Sequence, residues 1–165
     1  MSIVDFEITL RYHEAMTETL DSARLACWRA FINAHASVVT RIEEGLEVAN
    51  QLPLTWYDVL VALTESPGGR LRMNDLARKV VVLSRSGVTR VVDRLEAEGL
   101  IQRERTAEDR RGAYAVLTDR GRAALDAARP VYAEGIVQHF TRFLSDEEVR
   151  IMTDALERID RAARG

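Results

Sequence analysis

Between Thr9 and Glu44 the sequence contains neither glycine nor proline, and apolar residues recur at Leu20, Ala23, Cys27, Phe31, Ala34, Val38 and Ile42 in steps of three or four. That spacing predicts a long amphipathic helix. Trp28, Ile32, His35 and Val39 form a second row beside the first, so the helix is apolar over much of its circumference. Such a helix needs more than one neighbour to cover it.

The other elements are predicted to be shorter. Pro53 precedes a helical stretch from Thr55 to Glu65, which Pro67-Gly68-Gly69 ends as a turn. Arg70-Leu71-Arg72 reads as a short extended piece, followed by a helix around Asn74 to Val80 with Leu76, Ala77 and Val80 inward. Ser84 then stands where an N-cap belongs, and Val88, Val91, Val92 and Leu95 make the buried stripe of a helix closed by Gly99. Two helices with a short turn between them suggest a helix-turn-helix. Leu100 to Arg105 and Ala113 to Thr118 read as two strands of a hairpin joined by the polar Thr106 to Gly112 loop.

The last third returns to helix near Asp119, and Pro130 is expected to kink or break it. Ser145-Asp146-Glu147-Glu148 has the pattern of a capping box, after which Val149, Met152, Leu156, Ile159 and Ala163 give an apolar stripe. The fold class is therefore mainly α with a small two- to three-stranded β wing. At 165 residues the chain is long enough for one domain with appendages.

Several function classes fall away. The longest apolar runs, Val59 to Leu63 and Ala113 to Leu117, are five residues each, whereas a membrane-spanning helix needs about 20. The start, Ser2-Ile3-Val4-Asp5-Phe6-Glu7, lacks the basic opening and apolar stretch of a secretory signal. The single cysteine, Cys27, allows no intrachain disulfide, and a cytoplasmic setting is expected. It lies on the apolar stripe of the first helix, where a small thiol packs as an inert hydrophobe.

No phosphate-binding loop, dinucleotide fingerprint, nucleophile elbow or paired-histidine zinc motif occurs. His13, His35 and His139 lie far apart and have no partner at ligand spacing; His35 reads as a partly buried helix residue. No catalytic residue, metal site or cofactor is expected.

One segment stands above this background. With Val88, Val91, Val92 and Leu95 inside, the helix starting at Ser84 carries Arg85 with Thr89 on one outward row, and Ser86 with Arg90 and Arg94 on another. Hydrogen-bonding side chains thus crowd the outer, N-terminal half, as on a helix that reads base edges in a major groove. Its free first-turn N–H groups and positive dipole end suit phosphate. Gly87 costs about 1 kcal/mol inside a helix, and close approach of another surface would explain it.

At the hairpin tip, Asp109 can steady one guanidinium of Arg110-Arg111, as suits a rigid arginine entering a narrow minor groove. Alone, those residues are better read as a solvated turn with an ordinary surface ion pair.

Charge follows the same division. Residues 70–122 hold 13 Lys+Arg and 8 Asp+Glu, a net of +5 that leaves −8 for the remainder. A basic segment between acidic flanks suits a polyanionic partner better than the overall charge of −3 suggests.

Together, Ser84, the "VTRVVDRLEAEGLI" stretch, the "DRR" at Asp109 to Arg111 and "LTDRG" at Leu117 to Gly121 closely resemble the MarR family of winged helix-turn-helix transcription regulators. The likeness covers about residues 20–160. It implies a homodimer whose N- and C-terminal helices interlace while each winged domain reaches half of a pseudo-palindromic site on double-stranded DNA. The implied division is an N-terminal dimerisation region over 1–50, a winged helix-turn-helix DNA-binding domain over 51–121 and C-terminal dimerisation helices over 122–165.

By the same likeness Ser84, Arg85, Ser86, Thr89 and Arg90 fall on the recognition helix, with Arg94 farther along it. Asp109 and Arg111 match the wing pair, and Arg110 matches a further phosphate contact. The dimer agrees with the apolar faces of the first and last helices, which a two-fold interface would bury.

Many members of the family are released from DNA by a small aromatic or phenolic effector. Trp28, His35, Trp56, Tyr57 and Asp58 are the candidates to line such a pocket, with core packing the other reading of the aromatics. The reactive cysteine of the family's organic-peroxide sensors would fall near Phe31, not at Cys27. In its urate-responsive branch the matching acid is Asp58 and a matching arginine Arg103, but the recognition-helix arginine is replaced by Val91.

Two function classes follow: a ligand-tuned DNA-binding regulator, most simply a repressor, or a winged-helix module for protein interaction without DNA affinity. The charge segregation and the arginine-bearing helix favour the first.

Overall fold

The computed structural model describes residues 20–80, 83–105 and 113–164. Contacts divide the chain into two compact units, Met1–Val39 and Thr40–Gly165. The long helix predicted from Thr9 is described from Ser22, and as α1 it continues through Gly45 to Val48. Asp21 starts it: Oδ1 accepts the Arg24 amide at 2.7 Å and the carboxylate pairs with the Arg24 guanidinium. At the far end Asn50 takes a left-handed φ of 51°, and the Gln51 amide returns to the Leu46 carbonyl at 2.8 Å, so the last turn closes on itself.

In the first unit the expected burial of the stripe does not occur within the single chain. Cys27 and His35 are exposed, and Trp28 is 58% exposed. Periodicity marks the apolar side of a helix but does not specify whether the same chain covers it, and within the single chain Cys27 stays exposed.

The second unit contains the core. Helix α2, Leu54–Thr64, buries Leu54, Tyr57, Val59, Leu60, Ala62 and Leu63, which lie all round its axis, as befits a central helix. A 3₁₀ turn at Pro67–Gly69 leads into β1, Arg70–Arg72, and then α3, Met73–Lys79. Helix α4 spans Arg85–Ala97, followed by β2, Ile101–Arg105, and β3, Ala113–Leu117. The sheet is antiparallel in the order β1-β3-β2, with Leu71 opposite Ala115 and Arg103 opposite Ala115 on its other side. Period-two alternation puts Leu71, Ile101, Arg103 and Ala115 on one face. Ile101 and Ala115 are buried there with Val88, Val92 and Leu95 of α4 and Leu76 of α3.

Helix α5 runs from Asp119 to His139 with Pro130 inside it. Pro130 therefore does not break the helix. Proline removes one N–H and is disfavoured in a helix interior by about 3 kcal/mol, but Leu125 and Ala128 just before it are buried, and Tyr132 just after it stacks on Tyr57. That packing holds both sides of the proline in register. Another 3₁₀ turn, Thr141–Phe143, leads to α6, Asp146–Arg164. The capping box forms as its spacing predicts: Ser145 Oγ accepts the Glu148 amide at 3.3 Å and Glu148 Oε2 accepts the Ser145 amide at 2.8 Å. The Ser145 amide and hydroxyl, each donating to Glu148 Oε2 at 2.8 Å, hold the exposed carboxyl below its ordinary pKa. Val149, Ile151, Leu156 and Ile159 of this helix stay exposed in the single chain, Ile159 by 63%.

Candidate nucleic-acid interface

Helix α4 is shaped by local chemistry at both ends. Ser84 Oγ accepts the Gly87 amide at 3.1 Å as its N-cap. Gly99, at φ 68°, ends it: the Gly99 amide donates to the Glu96 carbonyl and the Leu100 amide to the Leu95 carbonyl, each at 2.9 Å. This pair of bonds requires a left-handed residue, which glycine supplies without a Cβ clash. Gly87 also has an explanation within the chain. A Cβ there would lie 3.2 Å from Ser84 Oγ and 3.5 Å from Leu83 Cβ, crowding the cap itself.

Val88, Val92 and Leu95 are fully buried, while Ser84, Arg85, Ser86, Thr89, Arg90 and Arg94 are exposed. Two hydroxyls are already engaged, since Ser84 Oγ serves the cap and Thr89 Oγ1 donates to the Arg85 carbonyl at 3.2 Å. Ser86 Oγ lies 3.2 Å from Ser84 Oγ. Among the described residues, the guanidiniums of Arg85, Arg90 and Arg94 have no ion-pair partner.

The acids of α4 explain that freedom. Arg103 on β2 reaches back to Asp93 at 2.6 Å and to Glu96 at 3.0 Å, so both carboxylates are drawn toward the sheet. The helix thus keeps its acidic residues toward the domain and its basic ones toward solvent. Asp109, Arg110 and Arg111 lie outside the described residues. The opposite face of the sheet carries a second basic group: Arg72 Nε donates to the Tyr114 hydroxyl at 2.8 Å, and Arg70 sits 4.3 Å over the Tyr114 ring.

The expected effector residues fall in both units. In the first, Trp28, Phe31 and His35 form a ladder along one side of α1, with ring centroids 6.1 and 6.4 Å apart. In the second, Tyr57 is buried and stacks on Tyr132 at 4.3 Å, while Trp56 and Asp58 are half-buried. Burial raises the Asp58 pKa to about 6, with the Glu43 carboxylate adding to the effect. Burial likewise raises both tyrosine hydroxyls above their ordinary range, Tyr57 helped by Tyr132 and Tyr132 by Asp58, so both stay neutral at physiological pH. Among the described residues no cluster of three or more His, Cys, Asp or Glu could hold a metal.

Sequence reasoning missed Tyr132 as the stacking partner of Tyr57 and Thr118 as a link between helices. The Thr118-Asp119-Arg120-Gly121 spacing is a cap signal that marks Thr118. No local pattern pairs Tyr132 with Tyr57, 75 positions apart in the sequence.

Comparison with known proteins bears on the same region. The family model described as MarR family matches residues 50–112. The chain is 32% identical over 84 residues to the HTH-type transcriptional regulator YkoM of Bacillus subtilis, covering 51% of this chain and 54% of that protein. The alignments to YkoM and to MhqR of the same organism thus span about half the length of either relative. Among solved structures, AbsC of Streptomyces coelicolor, a MarR family transcriptional regulator, superposes with a TM-score of 0.79 at 31% identity over 88% of this chain and 97% of its own. Sco3205 of the same organism, a MarR family transcriptional regulator solved in complex with DNA, gives 0.79 at 29% identity over 87% and 89%. With a winged helix-turn-helix in the second unit and a likeness to AbsC over nearly that protein's whole length, the chain belongs to the MarR family.

Proposed function

We propose that this chain is a homodimeric, sequence-specific DNA-binding transcription regulator rather than an enzyme. In this reading it represses by occupying a pseudo-palindromic operator and is released by a small aromatic or phenolic effector. The observation that carries the reading is α4: a capped helix with Val88, Val92 and Leu95 buried, and Arg85, Arg90 and Arg94 exposed and free of carboxylate partners among the described residues. Ser84, Arg85, Ser86, Thr89, Arg90 and Arg94 are the proposed contacts on this helix, and Asp109, Arg110 and Arg111 those of the wing. The likeness to Sco3205, solved with DNA, supports the same use of the fold.

The dimer is supported by the apolar residues that α1 and α6 leave exposed in one chain, Trp28, Phe31 and Ile32 on the first and Ile151, Leu156 and Ile159 on the second. Burying such faces against a second copy is the commonest route to a closed assembly. Residues 1–50 and 122–165 then serve dimerisation and 51–121 serve DNA. If the two recognition helices dock as in related dimers, the half-site centres lie about one helical turn, roughly 34–36 Å, apart. Trp28, His35, Trp56, Tyr57 and Asp58 are the proposed effector contacts. No described helix is long and apolar enough to cross a membrane.

The test is selection from a random duplex pool, with the retained DNA sequenced and the affinity followed at several salt concentrations. An enriched inverted repeat whose affinity falls as salt rises is the expected result. No retained duplex at low salt, from protein refolded after denaturation to strip any bound effector, overturns it in favour of a protein-interaction module.

A further inference from the structure

Thr118 stands between the end of β3 and the start of α5, and its hydroxyl serves both sides. Oγ1 accepts the Gly121 amide at 3.0 Å, capping α5. The same oxygen lies 2.8 Å from the Gly99 carbonyl and 2.9 Å from the Leu100 carbonyl, and shares its one proton between them. The Thr118 amide adds a bond to the Leu100 carbonyl at 3.2 Å. Gly99 and Leu100 are the two residues whose amides close α4. One half-buried side chain therefore fastens the end of α4 to the start of α5.

Gly121 makes the closeness possible. A Cβ at that position would lie 2.0 Å from the Leu100 carbonyl oxygen and 2.9 Å from Leu117 Cδ1, so no other residue fits without separating the two helices. Farther along, α5 is itself anchored, with Tyr132 stacked on Tyr57 of α2 and Gly135 packed against Ile42 of α1. The direction of α4 is thus referred to the body of the second unit through this joint.

We propose that Thr118 is a positioning residue for DNA recognition, its hydroxyl holding α4 at the angle from which Arg85 and Arg90 reach base edges. This rests on the DNA-binding reading above. A cap alone would need only the acceptor side of the hydroxyl; the donor side, aimed at the carbonyls that close α4, is what orients the recognition helix.

Thr118→Val keeps the shape and removes both bonds, whereas Thr118→Ser keeps them. Affinities are measured on a duplex selected from the random pool and on a random duplex, with folding checked by circular dichroism. The valine variant is expected to lose about three- to tenfold on the selected duplex, the range for one or two lost hydrogen bonds, with little change on the random one, and serine to restore it. Wild-type affinity and selectivity in a folded valine variant would overturn the proposal, leaving a cap only. Equal losses on both duplexes would overturn it too, because a mispositioned reading helix loses base contacts before phosphate contacts. A wild-type chain that binds no duplex would bring down the DNA-binding reading itself. Should the valine variant not fold, amide exchange in the wild-type chain decides. Slowing at Gly121 together with Val92 and Leu95 on duplex binding is expected, and slowing confined to α4 overturns the joint.

Discussion

Glu96 holds Arg103 twice, accepting the backbone amide at 3.1 Å through Oε1 and the guanidinium at 3.0 Å through Oε2. With Asp93 on the other guanidinium nitrogen, a single arginine of β2 satisfies both acids on its side of α4. The Arg103 side chain is only 28% exposed, so this network is screened less than a surface pair. Arg103→Ala is expected to lower stability by about 1–2 kcal/mol, between the values for exposed pairs and for hydrogen bonds to charged groups. It also frees Asp93 to pair with Arg90, three residues before it on α4, and both carboxylates to repel phosphate, so duplex affinity should fall. Denaturant unfolding and duplex titration of the same variant check both effects; undiminished affinity would show that the acids do not compete for the arginines.

Two glycines predict opposite outcomes for the same substitution. Gly121→Ala forces a methyl to within 2.0 Å of the Leu100 carbonyl oxygen, and backbone cannot yield as a flexible side chain can. A loss of about 3 kcal/mol or more, or failure to fold, is expected. Gly45 lies inside α1 with nothing within 4 Å of its would-be Cβ. Gly45→Ala should therefore stabilise by about 0.5–1 kcal/mol through helix propensity alone. Thermal melts of the two variants, side by side, test whether the difference in room sets the sign.

Asp58 makes stability depend on pH in the reverse of the usual carboxylate sense. Its folded pKa of about 6 lies above the ordinary 3.8, so between those values the folded chain binds more protons than the unfolded one. Stability from this group is greatest below about pH 4, falls as pH rises through that window and stays lower above about pH 6. The side chain is part-open to solvent, which reduces the penalty at neutral pH to about 1 kcal/mol after screening. Asp58→Asn, which cannot ionise, should raise the melting temperature at pH 7.5 and leave it nearly unchanged at pH 4. An equal gain at both values would assign the effect to packing rather than to charge.

These residues also mark what a sequence makes legible. Ser84 and Gly99 bound α4 by rules confined to a few neighbouring positions, so both ends of that helix can be read from the residues alone. The Ser145–Glu148 capping box is equally local. The cost of Pro130 is legible but its consequence is not, because the contacts that keep α5 continuous, Tyr132 on Tyr57 among them, come from a distant segment. Exposure of Cys27 and His35 escapes the sequence for a related reason: an apolar stripe specifies that burial is needed, not which chain provides it. The Arg103 clamp depends on how β2 lies against α4, and spacing alone does not encode that.

Arg90 offers the most direct test of the interface. It is exposed two residues beyond the buried start of the stripe at Val88, and among the described residues nothing neutralises it. A guanidinium in that position can form a paired contact with a guanine edge, worth about 1–3 kcal/mol of discrimination. Arg90→Ala should therefore weaken binding to a selected duplex by that amount and binding to a random duplex much less. If Arg90 instead rests on a phosphate, both affinities fall together and the slope of affinity against salt concentration becomes shallower by about one. Titrations of both duplexes at three salt concentrations separate these contacts, and no change in either would remove Arg90 from the interface.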